Sequence, residues 1–307
     1  MSTEQVAKAF VSKVVLPNSS QLVTDVGSLQ VALQRFTTQP NEANLEAARQ
    51  AWLTSRRTWE TSESWAFGPA ETEGFDAAMD SWPVNRKDLA SALAGPPLTE
   101  TAFRSLSETA KGFHGIEWVL FGGQSGKRPS ASEISANQRR YLVLAADDLH
   151  RQAKGLLTSW SGPAGFGARI STPDEAPTAV QELLQGVIGL LQEEGDEKLG
   201  QPLKTRDPHT LESADSGNTQ PDLLANIEGA RLVLIRSGLL ELIRRRDASL
   251  AEAIDTQTAQ AMSMARALPH PINGQLDNPI ARRAMEQLIV QLHRSSDLVK
   301  RAVPLLG

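Results

Sequence analysis

The amino-acid sequence predicts an all-α protein built from two helical-bundle halves, residues 1–165 and 166–307. Apolar residues recur at spacings of three and four in several long windows, whereas the alternation typical of strands is hard to find. The stretch SGPAGFGARISTP, residues 161–173, combines glycines and prolines and marks the expected boundary between the halves. A chain of 307 residues is long enough for two domains of ordinary size.

Four long helices are predicted in the first half. Residues 19–36 place Leu22, Val26 and Leu29 on one helix face. A second helix spans 41–66, with Asn41 as its N-cap. The third and fourth helices are expected over 98–121 and 132–160, and the third is ended by the glycine pair at 122–123. Residues 67–97 contain several Gly-Pro and Trp-Pro breaks, so only short helices are expected there.

The second half carries the same kind of pattern. One helix opens at Thr172-Pro173, with acidic residues in its first turn that suit the helix dipole. Further helices are predicted over 222–244, 247–268 and 278–302, and Asn278 followed by Pro279 caps the last of them. Residues 200–221 form a long polar connection, and connections of this length are usually functional or disordered.

A weak internal similarity relates the two halves. When Gly115 is aligned with Gly229, FHGIEWVL (113–120) falls on IEGARLVL (227–234). Either the chain is a duplicated four-helix-bundle-like unit, or two amphipathic helices resemble each other by chance. In a duplication, only the first copy would carry both His114 and Glu117.

Composition excludes several classes of function. The net charge of −5 provides no basic surface for nucleic acid or anionic lipid. The chain has no cysteine, which excludes disulfides, zinc–thiolate sites and cysteine nucleophiles. No apolar run is long enough to span a membrane, and the first residues, MSTEQVAKAF, lack the apolar region of a signal peptide. A leader or lipid anchor removed before this start would not be visible in the sequence.

The stretch GFHGIEWVLFG, residues 112–122, is the strongest candidate for chemistry. His114 and Glu117 are three residues apart on a predicted helix, so both side chains lie on one face and can share a metal ion. The alternative is a simple His–Glu pair on a helix. Gly112 and Gly115 each cost about 1 kcal/mol relative to alanine inside a helix, which indicates a kink or a close approach of another backbone.

Two further segments supply candidate partners for this pair. Arg56 and Glu63 lie on the same predicted helix stripe as Trp52 and Trp59, where charged residues must be paired or face a cleft. Glu63 is the preferred third ligand, and Asp80, at a chain turn, is either a fourth ligand or a turn residue. One histidine with several carboxylates suits iron, manganese or calcium better than a catalytic zinc.

These segments together resemble the imelysin-like family, which includes peptidases and iron-regulated proteins. GFHGIEWVLFG is similar to its Gly-x-His-x-x-Glu motif, and AWLTSRRTWETSESWAFGP is similar to its Trp…Arg…Tyr…Ser-Glu segment, with Trp59 in place of the tyrosine. FDAAMDSWPVN (75–85) resembles an Asp-x-Trp-Pro segment, and ESADSGNTQPDLLANIEGA (212–230) resembles a segment of the family's second half. The matching motifs cover most of residues 45–235.

The resemblance implies an exported bacterial protein of the cell envelope, periplasmic or associated with the outer membrane, often lipid-anchored and linked to iron. It also implies a site between the two halves. We expect metal ligands at His114, Glu117, Glu63 and Asp80, and substrate or partner contacts at the following residues: Arg56, Trp82, Ser213 and Ser216.

Three hypotheses about function remain open at this point. The first is a protein that binds iron, or another divalent metal, and is associated with iron uptake or other envelope components. The second is a metallopeptidase in which the metal activates water and Glu117 or Glu63 acts as the base. The third is a non-catalytic envelope protein that binds a peptide or another partner in the cleft without a metal.

Overall fold

The computed structural model describes residues 1–123 and 126–306. Within these ranges the regular structure is helical and no strand occurs, which confirms the all-α prediction. None of the helices described there is long and apolar enough to cross a membrane.

The first half begins with a long helical rod. Helices α1 (Thr3–Phe10) and α2 (Leu16–Thr38) are joined by a π-helical turn at Val11–Val15. The helices that follow are α3 (Glu42–Glu60), α4 (Pro69–Thr72), α5 (Phe75–Asp80), α6 (Arg86–Ala94), α7 (Glu100–Arg104), α8 (Gly112–Phe121) and α9 (Ala136–Trp160). The predicted cap of α3 is present, because the Asn41 side chain accepts a hydrogen bond from the Asn44 N–H at 2.9 Å.

The second half contains α10 (Phe166–Ile170), α11 (Ala176–Glu193), α12 (Gln201–Thr205), α13 (Thr219–Arg236), α14 (Leu239–Arg244), α15 (Ala248–Ala267) and α16 (Pro279–Ala302). A π-helical segment, Glu194–Gly200, connects α11 to α12 without a break. Short 3₁₀ turns lie at Glu63–Trp65, Glu108–Ala110, Pro208–Thr210, Asn273–Gln275 and Val303–Leu305.

Each half contains four long or central helices packed in a ring. In the first half α2 packs against α3 and α9, and α8 closes the ring between them. In the second half α16 packs against α11 and α15, and α13 closes that ring. The halves meet where α3 contacts α13 and where the turn Glu63–Trp65 contacts α11 and α13. The boundary at residues 165/166 and the duplication stay predictions.

The predicted helix over 98–121 is wrong, because this segment is divided into α7, a 3₁₀ turn and α8. Gly112 begins α8 with a φ of +64°, a conformation that side-chain-bearing residues rarely adopt. A Cβ at Gly112 would lie 2.2 Å from the carbonyl oxygen of Met79. The close approach of α5 therefore explains this glycine, and it fixes where α8 starts.

Other predicted elements differ in detail, and the helix expected to open at Thr172-Pro173 begins only at Ala176, with no acidic residue in its first turn. The helix expected over 222–244 is interrupted at Gly238, whose φ of +81° ends one helix and starts α14. The connection 200–221 is not a bare loop, since it contains α12 and a 3₁₀ turn, and Glu212 and Ser213 in it are buried. Burial of polar residues in this connection brings it into the site described next.

Candidate functional site

The candidate site lies where the two halves meet. Helix α3 contributes Arg56 and Glu60, α5 ends at Asp80, and α8 contributes His114 and Glu117. From the second half come Lys198, Glu212 and Asp222. Because α3 packs against α13, charged side chains from distant parts of the chain converge in a region from which water is largely excluded.

His114 is held among three carboxylates. Its Nδ1 lies 3.1 Å from Glu117 Oε2, and its Nε2 lies 3.2 Å from Asp80 Oδ1 and 3.8 Å from Glu212 Oε1. Burial and Arg56 act to lower the pKa of His114, but the three neighbouring carboxylates outweigh them and raise it well above its usual value. The carboxylates therefore favour the imidazolium form, in which both ring nitrogens carry a proton.

Glu117 orients His114 rather than facing the cleft. Its Oε1 accepts hydrogen bonds from both the backbone N–H and the hydroxyl of Ser216, each at 2.8 Å, while its Oε2 contacts the imidazole. A carboxylate that holds the second ring nitrogen of a histidine is the usual support of a metal-binding imidazole. Glu117 and Ser216, both predicted site residues, thus fix the direction of His114 Nε2.

Arg56 is a fully buried cation surrounded by carboxylates. Its guanidinium pairs with Asp80 and Glu60, lies 3.0 Å from Glu212 Oε1, and lies 3.6 Å from Asp222 Oδ2. Burial acts to lower the pKa of Arg56, but these four carboxylates raise it well above normal. The guanidinium is thus a permanent charge that ties the two halves together.

Trp59 provides a polar group that contacts Asp80. Its indole Nε1–H donates a hydrogen bond to Asp80 Oδ2 at 2.7 Å. The other oxygen of Asp80 faces Arg56 and His114. Burial acts to raise the pKa of Asp80, but Arg56 and His114 outweigh it and lower the pKa below its usual value. Asp80 is therefore an anion at neutral pH.

Lys198 is the second buried cation of the site. Its Nζ lies 2.8 Å from Glu212 Oε2, 3.5 Å from Glu194 Oε1 and 3.6 Å from Glu60 Oε2. Burial acts to raise the pKa of Glu212, but the nearby Lys198, His114 and Arg56 lower it well below normal. Glu212 is an anion shared between His114, Arg56 and Lys198.

Carboxylates outnumber cations in this region. The acidic side chains are Glu60, Glu63, Asp80, Glu117, Glu194, Glu212 and Asp222, and the basic ones are Arg56, His114 and Lys198. Burial raises the pKa of Glu194 to about 8 and that of Asp222 to about 6, and it raises the pKa values of Glu60 and Glu63 well above normal. The excess of acidic groups must hold protons or bind a further cation.

An open cleft of about 340 Å³ reaches this cluster. Asp80, Glu212 and Lys198 form its inner part, and its wall is completed by Glu63, Asp76, Ala77, Ser81, Trp82, Glu193 and Glu197. Burial and the nearby Asp80 raise the pKa of Asp76 to about 6. The cleft is therefore acidic along most of its length, and it gives a small cation access to the buried carboxylates.

Two groups of described residues have ligand atoms close enough to hold a metal ion. One is Asp80, His114 and Glu212, and the other is Glu60, Glu63 and Asp80; within each group the ligand atoms lie within 4.8 Å of one another. An imidazole with carboxylate oxygens is a donor set that suits iron(II) or manganese(II). The residues present therefore fit a divalent ion of this kind, with Asp80 common to both groups.

The predicted site residues are distributed as follows. His114 and Asp80 come together, and Glu63 joins Asp80 rather than His114. Among the described residues, Glu117 lies outside both metal-compatible groups because Ser216 and His114 hold its oxygens. Trp82 lines the cleft, and Ser213 is buried with a φ of +51°. Of the two candidates for a catalytic base, Glu117 and Glu63, only Glu63 faces the cleft.

Sequence reasoning missed five members of the cluster, which are Glu60, Glu194, Lys198, Glu212 and Asp222. Glu60 lies four residues after Arg56 on the same helix stripe, so its spacing could have revealed it. Glu212 and Asp222 lie in the segment recognised in the second half, but only its serines were selected. Lys198 carries no local signal, because a lysine near the end of an amphipathic helix is usually solvated.

Comparison with known proteins places the chain in a family. The family model described as Imelysin matches residues 15–299. The iron-regulated protein A of Synechococcus elongatus is 36% identical over 319 residues, which cover 98% of this chain and 86% of that protein. Both the length of the match and its identity are sufficient to show common family membership.

Two solved structures share the fold. A protein of Parabacteroides distasonis ATCC 8503, assigned as an iron-regulated protein A precursor, superposes with a TM-score of 0.88 at 20% identity, covering 98% of this chain and 95% of that one. An imelysin-like protein of Psychrobacter arcticum 273-4 superposes with a TM-score of 0.82 at 18% identity, covering 100% and 97%. At these identities the structures establish the fold alone. With the sequence matches, they lead to one conclusion: this chain belongs to the imelysin family.

Proposed function

We propose that this protein binds a divalent metal ion, with iron as the preferred one, at Asp80, His114 and Glu212 in the cell envelope. The observation that carries the proposal is the convergence of these three side chains, from both halves, at the inner end of an acidic cleft. A 36% identical relative is named iron-regulated protein A, which supports iron over other ions.

Different residues would bind the ion and orient its ligands. His114 Nε2 and oxygens of Asp80 and Glu212 would hold the ion, and the ion would supply the positive charge that the excess carboxylates lack. Glu117 would keep Nδ1 of the imidazole fixed, with Ser216 fixing Glu117 in turn. Because a metal ligand must be a neutral imidazole, His114 would release its Nε2 proton as the ion enters.

The envelope location and the partners belong to the same proposal. The resemblance to exported iron-linked proteins supports a periplasmic or outer-membrane-associated location, with a lipid anchor as one means of attachment. Components of iron uptake, or other envelope proteins, are the partners that such a protein would serve. Fractionation of cells that express the natural gene, followed by detection with an antibody, would test the location directly.

A second function is favoured by one specific feature. Arg56 and Lys198 already pair with the same carboxylates that a metal would use. A polar network in which the protein's own cations already pair with part of the carboxylates also suits a cleft that binds a cationic peptide or another partner without a metal. Metal binding distinguishes the two functions, because only the first requires it.

The test is calorimetric titration of the metal-free protein with iron(II), under anaerobic conditions, and with manganese(II) and zinc(II). We expect one ion per chain, with binding lost in His114→Ala and Glu212→Gln. The matched control is His209→Ala, which removes an exposed imidazole and should leave the affinity unchanged. Absence of binding by the intact protein would refute the metal function and leave the partner-binding cleft.

A further inference from the structure

Lys198 is unusual because it places an ammonium group inside the wall of the acidic cleft. It belongs to the π-helical segment Glu194–Gly200, and its side chain is 6% exposed. π-Helical turns are rare and are often found at functional sites. Here the segment directs Lys198 at Glu212 and Glu60 of the cluster, and Glu194, four residues earlier in the same segment, faces the ammonium as well.

Lys198 and the metal-compatible group depend on the same carboxylate. One oxygen of Glu212 lies 2.8 Å from Lys198 Nζ, and the other lies 3.8 Å from His114 Nε2. An ion bound by Asp80, His114 and Glu212 would therefore lie close to the ammonium. Two cations that share one carboxylate repel each other strongly in a buried region, because solvent screens them poorly there.

Lys198, rather than Arg56, is the cation able to leave. Arg56 is fully buried, is held by four carboxylates and does not line the cleft. Lys198 lines the cleft on a flexible four-carbon stem, and the exposed carboxylates of Glu193 and Glu197 form part of the same wall. A short rotation of the lysine stem towards these two residues would keep the ammonium paired while it vacates Glu212.

We propose that Lys198 is an internal cation that competes with the metal ion for Glu212, so that the ion enters as the ammonium moves out towards Glu193 and Glu197. This inference rests on the proposed metal binding, and it adds the means by which the empty site stays folded. The ammonium stabilises the carboxylates when no ion is bound. The ion and the ammonium then weaken each other's binding by the same factor, as linkage requires.

The test compares manganese(II) affinity in the intact protein and in Lys198→Met. Coupling between two sites commonly changes affinity by roughly 5–150-fold, and we expect Lys198→Met to tighten manganese binding within this range. The matched control is Lys204→Met, which removes the same charge from an exposed position on α12 and should leave the affinity unchanged. Lys198→Arg, which keeps the charge, should bind no more tightly than the intact protein.

Thermal unfolding provides a second readout that a purely structural role would not produce. Without metal, Lys198→Met should unfold at a lower temperature than the intact protein, because its carboxylates lose their counter-ion. Saturating manganese should then raise its unfolding temperature more than it raises that of the intact protein. If Lys198→Met does not fold, the double variant Lys198→Met/Glu194→Gln removes the ammonium together with the ionisable carboxyl group that faces it, and the same gain in affinity is expected.

The outcomes separate this inference from the proposed function. If the intact protein binds manganese and Lys198→Met binds it equally or more weakly, the competition is refuted while metal binding stands. If Lys198→Met binds manganese and the intact protein does not, the competition is supported, and metal binding by the native protein is refuted. If neither binds any ion, both proposals fall.

Discussion

Replacement of Arg56 by methionine tests whether the buried charge cluster holds the two halves together. The variant retains a long apolar side chain but removes the guanidinium that contacts carboxylates of α3, α5 and the second half. Arg57, the next residue, offers a matched control. It pairs with Glu228 at the surface, where its side chain is 51% exposed.

The expected magnitudes differ because the two arginines are buried to different degrees. Removing one partner of a buried ion pair costs about 3–5 kcal/mol, whereas an exposed pair contributes less than about 1 kcal/mol. With an unfolding entropy of roughly 2.1 cal/mol/K per residue, each kcal/mol shifts Tm by about 1.5 °C in a chain of this length. Arg56→Met should therefore lower Tm by about 5–8 °C and Arg57→Met by less than about 2 °C.

The stability lost in Arg56→Met should depend on pH in a defined direction. The pKa values of Asp80 and Glu212 are lowered in the folded protein, in part by Arg56, so the stability from these pairs is present above their unfolded pKa values and is lost as pH falls through the folded ones. The penalty of Arg56→Met should thus be largest near neutral pH and should shrink in acid. The assay is thermal unfolding followed by circular dichroism from neutral to acidic pH. Equal losses in Arg56→Met and Arg57→Met, or a penalty that grows in acid, would refute the reasoning.

Two further predictions concern other buried positions. Gly115→Ala should lower the free energy of unfolding by about 1–3 kcal/mol, because its Cβ would lie 2.1 Å from the buried hydroxyl of Tyr141. Gly189→Ala, with open space at its Cβ, should raise the free energy of unfolding by up to about 1 kcal/mol. Urea unfolding of both variants checks this prediction, and equal effects would contradict it. Burial raises the pKa of Glu194 to about 8, so the stability associated with its neutral form is present below its unfolded pKa and is lost as pH rises through about 8. The glutamine of Glu194→Gln cannot ionise. As pH rises from about 6 to about 9, the free energy of unfolding of this variant should therefore increase by on the order of 2 kcal/mol relative to that of the unchanged protein. Parallel profiles of unfolding free energy against pH for the two proteins would contradict the assignment.

The long amphipathic helices were accessible to prediction because their signal is local. The predicted helices over 247–268 and 278–302 agree closely with α15 and α16, whose apolar faces repeat along the sequence. The break inside 98–121 was not accessible in the same way. Gly112 is required there by the Met79 carbonyl, which belongs to a different helix and approaches only in the folded chain.

The residues of the candidate site also differ in whether the local sequence could predict them. His114 and Glu117 stood out because they are metal-binding side chains at helical spacing in an otherwise apolar segment, and Arg56 because it shares a helix stripe with Trp52 and Trp59. Glu212 and Lys198 did not, since nothing in their own segments distinguishes them from solvated residues. They join the cluster because the connection before α13 brings Glu212 to His114 of α8, and the π-helical segment brings Lys198 to Glu60 of α3.

By itself, the sequence determined the all-α class, most of the long helices and the imelysin family. These depend on periodicity and on short motifs, which are properties of neighbouring residues. Only the tertiary structure decided that Glu117 supports His114 while Glu212 faces its other nitrogen, and that Lys198 lies within the same carboxylates. Contacts between side chains far apart in the chain arise from helix packing, and the local sequence carries no record of that packing.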